Sequence, residues 1–228
     1  MPNEAIVLLS GGQDSTTCLF WALARYQKVR AVSFNYGQRH LLELNRAAEI
    51  AEYAQVPHMI LHLDVLRQLG GNALTEPDKL IEHLPNLLPN TFVPGRNILF
   101  LAAAAAYAYP LGVPNLVTGV CQTDYSGYPD CRLETIQAME QALRLGMEWP
   151  ALTIQTPLMN LTKADTVRLM RSFGDFAWSV LGMTHTCYQG THRPCGECPA
   201  CLLRAKGFEE AGYQDPLLST GGVPWEKN

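Results

Sequence analysis

Apolar residues fall along this chain in two kinds of block. The first kind is short and strand-length, led by the unbroken run Ala5–Leu9 (AIVLL) and followed by the more mixed segments Val29–Phe34, Met59 to about Val65, Asn115–Gly119 (NLVTG) and Leu152–Gln155. Continuous apolar runs of that length fit strands covered on both faces, as in a parallel sheet. The second kind spaces its apolar positions at helical intervals: Ser15 to about Tyr26, Arg39–Ala54, Asn97–Tyr109, Arg132–Leu145, and Lys163 to about Phe173, the last capped by Thr162. Leu19 and Leu23 fall on the core side of the first helix, and the alanines of 97–109 permit close approach to a sheet. The alternating order predicts an α/β fold with a five-stranded parallel sheet, right-handed crossovers and helices on both faces.

Two stretches break the alternation. Gly70–Pro94 is rich in Pro, Asn and Gly and has no period, so it is expected to be a lid or substrate loop rather than a passive connection. After Gly182 the composition turns to Cys, His, Pro and Gly, which divides the chain into a main domain, 1–182, and a small appendage, 183–228.

The apolar fraction of 47% over 228 residues is enough to fill a core. The formal net charge of −4, with no block of Lys or Arg, counts against a nucleic-acid surface and favours small-molecule partners. Met1-Pro2-Asn3-Glu4 lacks the basic start of a signal peptide, and the longest apolar segment, Ile98–Tyr109, is too short to span a bilayer. A cytoplasmic protein without membrane contact is expected. Seven cysteines in a reducing compartment are then read as metal ligands or redox groups before disulfides.

The sharpest chemical signal is Ser10-Gly11-Gly12-Gln13-Asp14-Ser15-Thr16, placed where the first strand ends and the first helix begins. Two glycines let backbone N–H groups approach an anion, and the helix start directs its own unpaired N–H groups to the same place. Ser10, Ser15, Thr16 and Thr17 add hydroxyl donors. Asp14 would repel a phosphate unless a cation lay between them, so it is read as a Mg²⁺ partner. The loop lacks the Lys of GxxxxGK[ST] and the third Gly of GxGxxG. It resembles instead the SGGxDS[ST] signature of the PP-loop ATP pyrophosphatases, whose members split ATP between the α and β phosphates. That resemblance implies a Rossmann-like fold of the adenine nucleotide alpha hydrolase kind. It also implies an ATP-binding stretch made of Leu8, Leu9, Ser10, Gly11, Gly12, Gln13, Asp14, Ser15, Thr16, Thr17 and Cys18, with Asp14 and Ser15 catalytic.

Cys187, Cys195, Cys198 and Cys201 follow the spacing C-x7-C-x2-C-x2-C. Four thiolates suit tetrahedral Zn²⁺ in a closed, structural site. An iron–sulfur cluster uses similar spacings, and His185 or His192 could replace one cysteine. Cys18, Cys121 and Cys131 are scattered, and Cys18 suits the core.

Further blocks narrow the resemblance. Phe34–His40 (FNYGQRH), Val93–Asn97 (VPGRN), Asp124–Arg132 (DYSGYPDCR) and the cysteine-rich end are similar, in the same order, to the QueC family of queuosine biosynthesis, the 7-cyano-7-deazaguanine synthases. Membership implies a C–N bond-forming ligase that converts 7-carboxy-7-deazaguanine, ammonia and ATP to the nitrile, with structural Zn²⁺, with Mg²⁺ accompanying ATP, and as a homodimer. It implies substrate contacts from Tyr36, Gln38, Arg96, Asp124, Tyr125, Tyr128, Asp130 and Arg132. The tyrosines would stack on the base, an aspartate would accept from its N–H edge, and an arginine would pair with the carboxylate. Pro157–Lys163 (PLMNLTK) resembles the later PP-loop segment whose lysine touches phosphates, so Lys163 is a catalytic candidate; the plain alternative is an exposed lysine at a helix start. His40 and His62 are candidate proton shuttles. No glutaminase segment is legible, so ammonia would come from solution. The rival readings are a tRNA thiolase or another PP-loop amidotransferase, and a non-catalytic nucleotide-binding module.

Overall fold

The structure, a computed structural model, describes residues 3–38, 41–69, 90–123, 128–191 and 193–219. Its centre is β1 (Glu4–Leu8), hydrogen-bonded in parallel to β2 (Lys28–Asn35) on one side and to β4 (Asn115–Val117) on the other. β3 (His58–His62) and β5 (Thr153–Gln155) close the edges, giving five parallel strands in the order β3-β2-β1-β4-β5. The expected α/β sheet is therefore present. Chain order reverses between β1 and β4, and in open parallel sheets ligands bind beyond the carboxyl ends of the strands at such a reversal.

Residues of β1 and its end alternate between two cores. Ala5, Val7 and Leu9 pack with α1 (Gln13–Leu23), α2 (Leu42–Tyr53), α6 (Lys163–Ser172) and α7 (Asp175–Leu181). Ile6 and Leu8 pack with α4 (Arg96–Leu111) and α5 (Leu133–Gly146). This two-sided burial is why the run reads as uniformly apolar. Ala104, Ala105 and Ala108 are fully buried, as the alanine spacing of α4 implied.

Several elements end at residues other than the sequence pattern implies, each for a local reason. β3 stops at His62 because its partner β2 stops at Asn35, and Val65 instead opens α3 (Val65–Leu69) after the turn at Asp64. β4 stops at Val117 because Gly119 passes over the start of α1: a Cβ there would lie 3.0 Å from the Asp14 carbonyl carbon. α7 had no sequence signal; it is a short helix restarted after Gly174, whose φ is +96°. Thr162 caps α6 as expected, in a reciprocal capping box with Asp165.

The cysteine-bearing segment runs into α8 (Pro199–Ala211), which starts at Cys198 and ends at Gly212, with α9 (Pro216–Ser219) after it. α8 lies along α6, and its Phe208 joins the core formed by β1, α1 and α6. The hydrophobic core thus runs across position 182. Among the described residues no helix is long and apolar enough to cross a membrane. Most of the expected lid, 70–89, lies outside the described residues.

Candidate functional site

A cavity of about 490 Å³ opens at the chain reversal, beyond the ends of β1, β2 and β4. The SGGQDST loop forms its floor. Gly11 has φ +83°, and a Cβ there would lie 2.4 Å from the Glu43 carbonyl oxygen and 2.8 Å from the Ala47 nitrogen, so only glycine lets α2 approach this closely. Ser15 Oγ donates to the Gly12 carbonyl (3.1 Å), accepts from the Ser10 N–H (3.1 Å), and lies 3.0 Å from Ser10 Oγ. Gly12 caps α1 with no side chain on the first-turn N–H groups, which leaves that end of the helix open to an anion. Gln13 is 2% exposed, and its Nε2 has no hydrogen-bond partner among the described residues; Thr186 Oγ1, in the segment that passes close to Gly12, is in the same condition.

Leu8, Leu9, Ser10, Gly12, Gln13, Asp14 and Ser15 line the cavity. Gly11 lies against α2, and Thr16, Thr17 and Cys18 are fully buried behind the loop, with Thr17 Oγ1 donating to the Gln13 carbonyl (2.9 Å). Burial first, then the Asp14 charge, pushes the Cys18 thiol up, consistent with an inert core residue.

Lys163, at the first position of α6, is not an exposed helix-start lysine. Its side chain is 11% exposed, and Nζ donates to both oxygens of Asp14, at 3.0 and 2.8 Å. Its stem is held from behind by α8: a Cβ on Gly207 would lie 2.5 Å from Lys163 Cγ and 3.0 Å from its Cβ. The segment after α7 forms the roof. His185 N–H donates to the Gly11 carbonyl (2.9 Å), while Thr186, Cys187 and Tyr188 line the space above. Arg204 of α8 fastens this segment: it pairs with Asp215 (2.6 and 2.8 Å) and donates to Thr184 Oγ1 (2.7 Å), all of it buried.

The far wall is aromatic and charged. Phe34 stacks on Phe100 with ring centres 4.4 Å apart, and Tyr36 leans on Phe100 at 5.4 Å. The Arg96 guanidinium sits 6.0 Å from the Tyr36 ring centre. Burial opposes the charge of Arg96, but Tyr36, Tyr128 and Asp130 outweigh it and hold Arg96 above its ordinary value. Burial pushes the Tyr36 and Tyr188 hydroxyls up. Glu43, half-buried in the first turn of α2, is pushed by burial up to about 7 even though Arg96 pulls it down.

Of the expected substrate contacts, Tyr36, Gln38, Arg96 and Tyr128 line the cavity. Tyr128 hydroxyl is 2.6 Å from Thr91 Oγ1. Asp130 lies outside the lining: its carboxylate accepts the Asn97 N–H (3.0 Å) at the start of α4 and so orients the neighbouring Arg96. Arg132 is also outside, its side chain half-exposed near Glu134. Asp124, Tyr125, His40 and His192 lie outside the described residues. His62 is exposed and away from the cavity. Glu43, Asn97, Tyr188 and Arg204 are lining residues that sequence reasoning missed. Glu43 had one signal, its position in the helix directly after the FNYGQRH block.

Cys187, Cys195, Cys198 and Cys201 bring their four sulfurs within 4.8 Å of one another, a group that could hold a metal ion. His185 instead turns its Nε2 to the Cys187 carbonyl (3.1 Å). Backbone N–H groups of Glu197 and Cys198 pull the Cys195 thiol down to about 7, whereas burial pushes Cys198 and Cys201 up.

Known proteins place the chain in a family. A family model described as queuosine biosynthesis protein QueC matches residues 4–212. A Laribacter hongkongensis protein named 7-cyano-7-deazaguanine synthase is 56% identical over 221 residues, covering 96% of this chain and 95% of its own. A protein of the same name from Chromobacterium violaceum is 55% identical over 222 residues, covering 95% and 93%. Among solved structures, the U34-tRNA thiolase NcsA of Methanococcus maripaludis, with its 4Fe–4S cluster, aligns with a TM-score of 0.44 at 14% identity, over 91% of this chain and 63% of its own. With a family match from the first strand to the last turn of α8, the chain belongs to the QueC family of queuosine biosynthesis proteins.

Proposed function

We propose that this protein makes 7-cyano-7-deazaguanine from 7-carboxy-7-deazaguanine, ammonia and ATP, splitting each ATP to AMP and pyrophosphate. The observation that carries this reading is that the SGGQDST loop and the Arg96–Tyr36–Tyr128 wall face one another across a single cavity, in a chain matched over nearly its whole length by relatives of that name.

The chemistry explains why one cavity needs both sides. A carboxylate is anionic and would have to expel oxide, so it is a poor electrophile. Transfer of AMP to one of its oxygens removes the charge and supplies a leaving group. Ammonia then displaces AMP and leaves the amide. A second adenylation, on the amide oxygen, followed by departure of AMP, leaves the nitrile. In this reading the first-turn N–H groups of α1, with Ser10 and Ser15, bind the phosphates. Asp14 would hold Mg²⁺, which would neutralise the phosphates during transfer. Lys163, released from Asp14 as the cation arrives, would meet the departing pyrophosphate. Arg96 would fork onto the substrate carboxylate, and Tyr36 and Tyr128 would flank the planar base.

The four cysteines would hold Zn²⁺ as a structural ion. Zn–S bonds of about 2.3 Å put tetrahedral sulfurs about 3.8 Å apart. The Cys195 and Cys201 sulfurs are separated by 3.9 Å, and a cubane cluster, with iron and sulfide between its thiolates, would need them wider. A cytoplasmic homodimer acting only on small molecules completes the reading; sedimentation equilibrium tests the dimer.

The decisive experiment supplies ATP, Mg²⁺, ammonium and the carboxylate and identifies products by mass. Nitrile with AMP is expected. Unchanged acid from folded, zinc-loaded protein refutes the assignment. Asp14→Ala is expected to keep the fold and lose AMP formation.

A further inference from the structure

Two carboxylates line the cavity among the described residues, Asp14 and Glu43. Asp14 is engaged with Lys163 at the phosphate loop, and the reaction sketched above gives Glu43 no task. Its position is specific. The backbone of Glu43 abuts Gly11 behind the loop, and the residue itself lines the cavity whose floor the loop forms. Its side chain acts on Tyr36 and Tyr188 and is acted on by Arg96. A substrate carboxylate held between Arg96 and the phosphate loop would lie in the same cavity that Glu43 lines.

The carboxylate carbon must receive a nitrogen which then loses every proton it carries. Attack of ammonia on the acyl adenylate gives a tetrahedral centre bearing N–H₃⁺, and expulsion of AMP as the amide forms releases one proton. Adenylation of the amide oxygen releases a second proton from nitrogen. Departure of the second AMP, with formation of the C≡N bond, releases the third. Both carboxylate oxygens leave within the two AMP molecules, so the atoms balance with no other reactant. A single proton acceptor beside the nitrogen would serve all three releases, returning each proton to solvent between them.

We infer, resting on the proposed function, that Glu43 is that acceptor, a catalytic carboxylate directed at the nitrogen of the acyl and imidoyl adenylates. The charged and titratable groups that share the cavity with it fit the role. Arg96 from α4 keeps its ionised form accessible, while Tyr36 after β2 and Tyr188 after α7 present hydroxyls held neutral by burial. On its own helix, Arg46 is occupied with Glu49. A carboxyl poised at about 7 can take up and release protons at neutral pH, which an ordinary carboxylate does poorly.

The test compares wild type with Glu43→Gln in two assays. The first is carboxylate-dependent exchange of pyrophosphate into ATP without ammonia, which reads adenylation alone. The second is conversion of the carboxamide to the nitrile with ATP, where no ammonium titration complicates the pH profile. Glu43→Gln is expected to retain the exchange and to lose nitrile formation by about 10²–10⁴-fold. The wild-type fall in rate below pH about 7 should be absent from the residual activity. A variant that makes nitrile at the wild-type rate, or keeps that acid limb, overturns the inference. Loss of exchange together with nitrile formation also overturns it, because Glu43 would then be positioning substrate or loop. If wild type itself shows no carboxylate-dependent exchange, the proposed function fails first, and that outcome is distinct from the other two.

Discussion

Gly207→Ala should damage chemistry more than stability. The added Cβ would lie 2.5 Å from Lys163 Cγ, 3.0 Å from its Cβ and 3.3 Å from its carbonyl carbon. Carbon contacts favour about 3.5–4.0 Å, so the nearest is short by about 1 Å. Two of the three atoms lie at or next to the backbone, so a rotamer change at the lysine tip does not clear them. Either α6 shifts by some tenths of an ångström or the Lys163 stem swings away from Asp14. Overpacking of this kind costs about 1–3 kcal/mol. Alanine in place of glycine in the middle of α8 returns about 1 kcal/mol through helix propensity. The net loss is then about 0–2 kcal/mol, a fall in Tm of at most about 8 °C for a chain of this size. If Lys163 meets the pyrophosphate as proposed, displacing it by about 1 Å costs up to about 10²-fold in rate. Urea denaturation paired with pyrophosphate exchange reads both quantities. Gly146→Ala is the control: at the end of α5 its Cβ meets nothing within 4 Å, so it should gain about 0.5–1 kcal/mol and leave exchange untouched. If Gly207→Ala behaves like the control, with added stability and full exchange, α8 does not hold the lysine and the reasoning is wrong.

Other outcomes follow from the same geometry. Asp215→Ala leaves the buried Arg204 charge without its carboxylate and should cost about 3–5 kcal/mol in urea; a loss well under 1 kcal/mol would mean that water reaches the pair. Cys198→Ser, or exhaustive chelation, should lower stability, within the order of 10 kcal/mol that closed zinc sites supply to small peptides. It should also slow AMP formation, since Cys187 lines the cavity, and metal-free protein with unchanged stability would contradict both effects. Glu43→Gln should alter stability only above acid pH. The folded carboxyl titrates near 7 against 4.5 for an ordinary one, so the native state holds the extra proton, and stability is lost as pH rises through that interval. The glutamine variant should match wild type below pH about 4.5 and exceed it by about 1–3 kcal/mol above pH about 7. A constant difference at all pH values would remove the shift.

Much of the protein was legible in its sequence because the relevant physics is short-range. Ala5–Leu9 announces a strand buried on both faces, and the two glycines with Asp14 announce a phosphate loop, since both follow from contiguous residues. The four cysteines announce a group that could hold a metal ion for the same reason, three of them lying within seven positions. What only the tertiary structure decided is which distant groups meet. Lys163 reaches Asp14 across 149 positions because α6 lies beside α1, and the absence of a side chain at Gly207 sets how near α8 comes. The composition change at 182 is legible in contiguous residues, but that the segment beyond it roofs the cavity, through the His185 bond to Gly11, is a tertiary fact. Asp130 accepts the Asn97 N–H at the start of α4, a bond across 33 positions, and Glu43 lines the cavity with no motif to mark it. Motifs name the chemistry a few adjacent residues can perform; helix packing and strand register, set by the whole chain at once, determine which of those residues share a cavity.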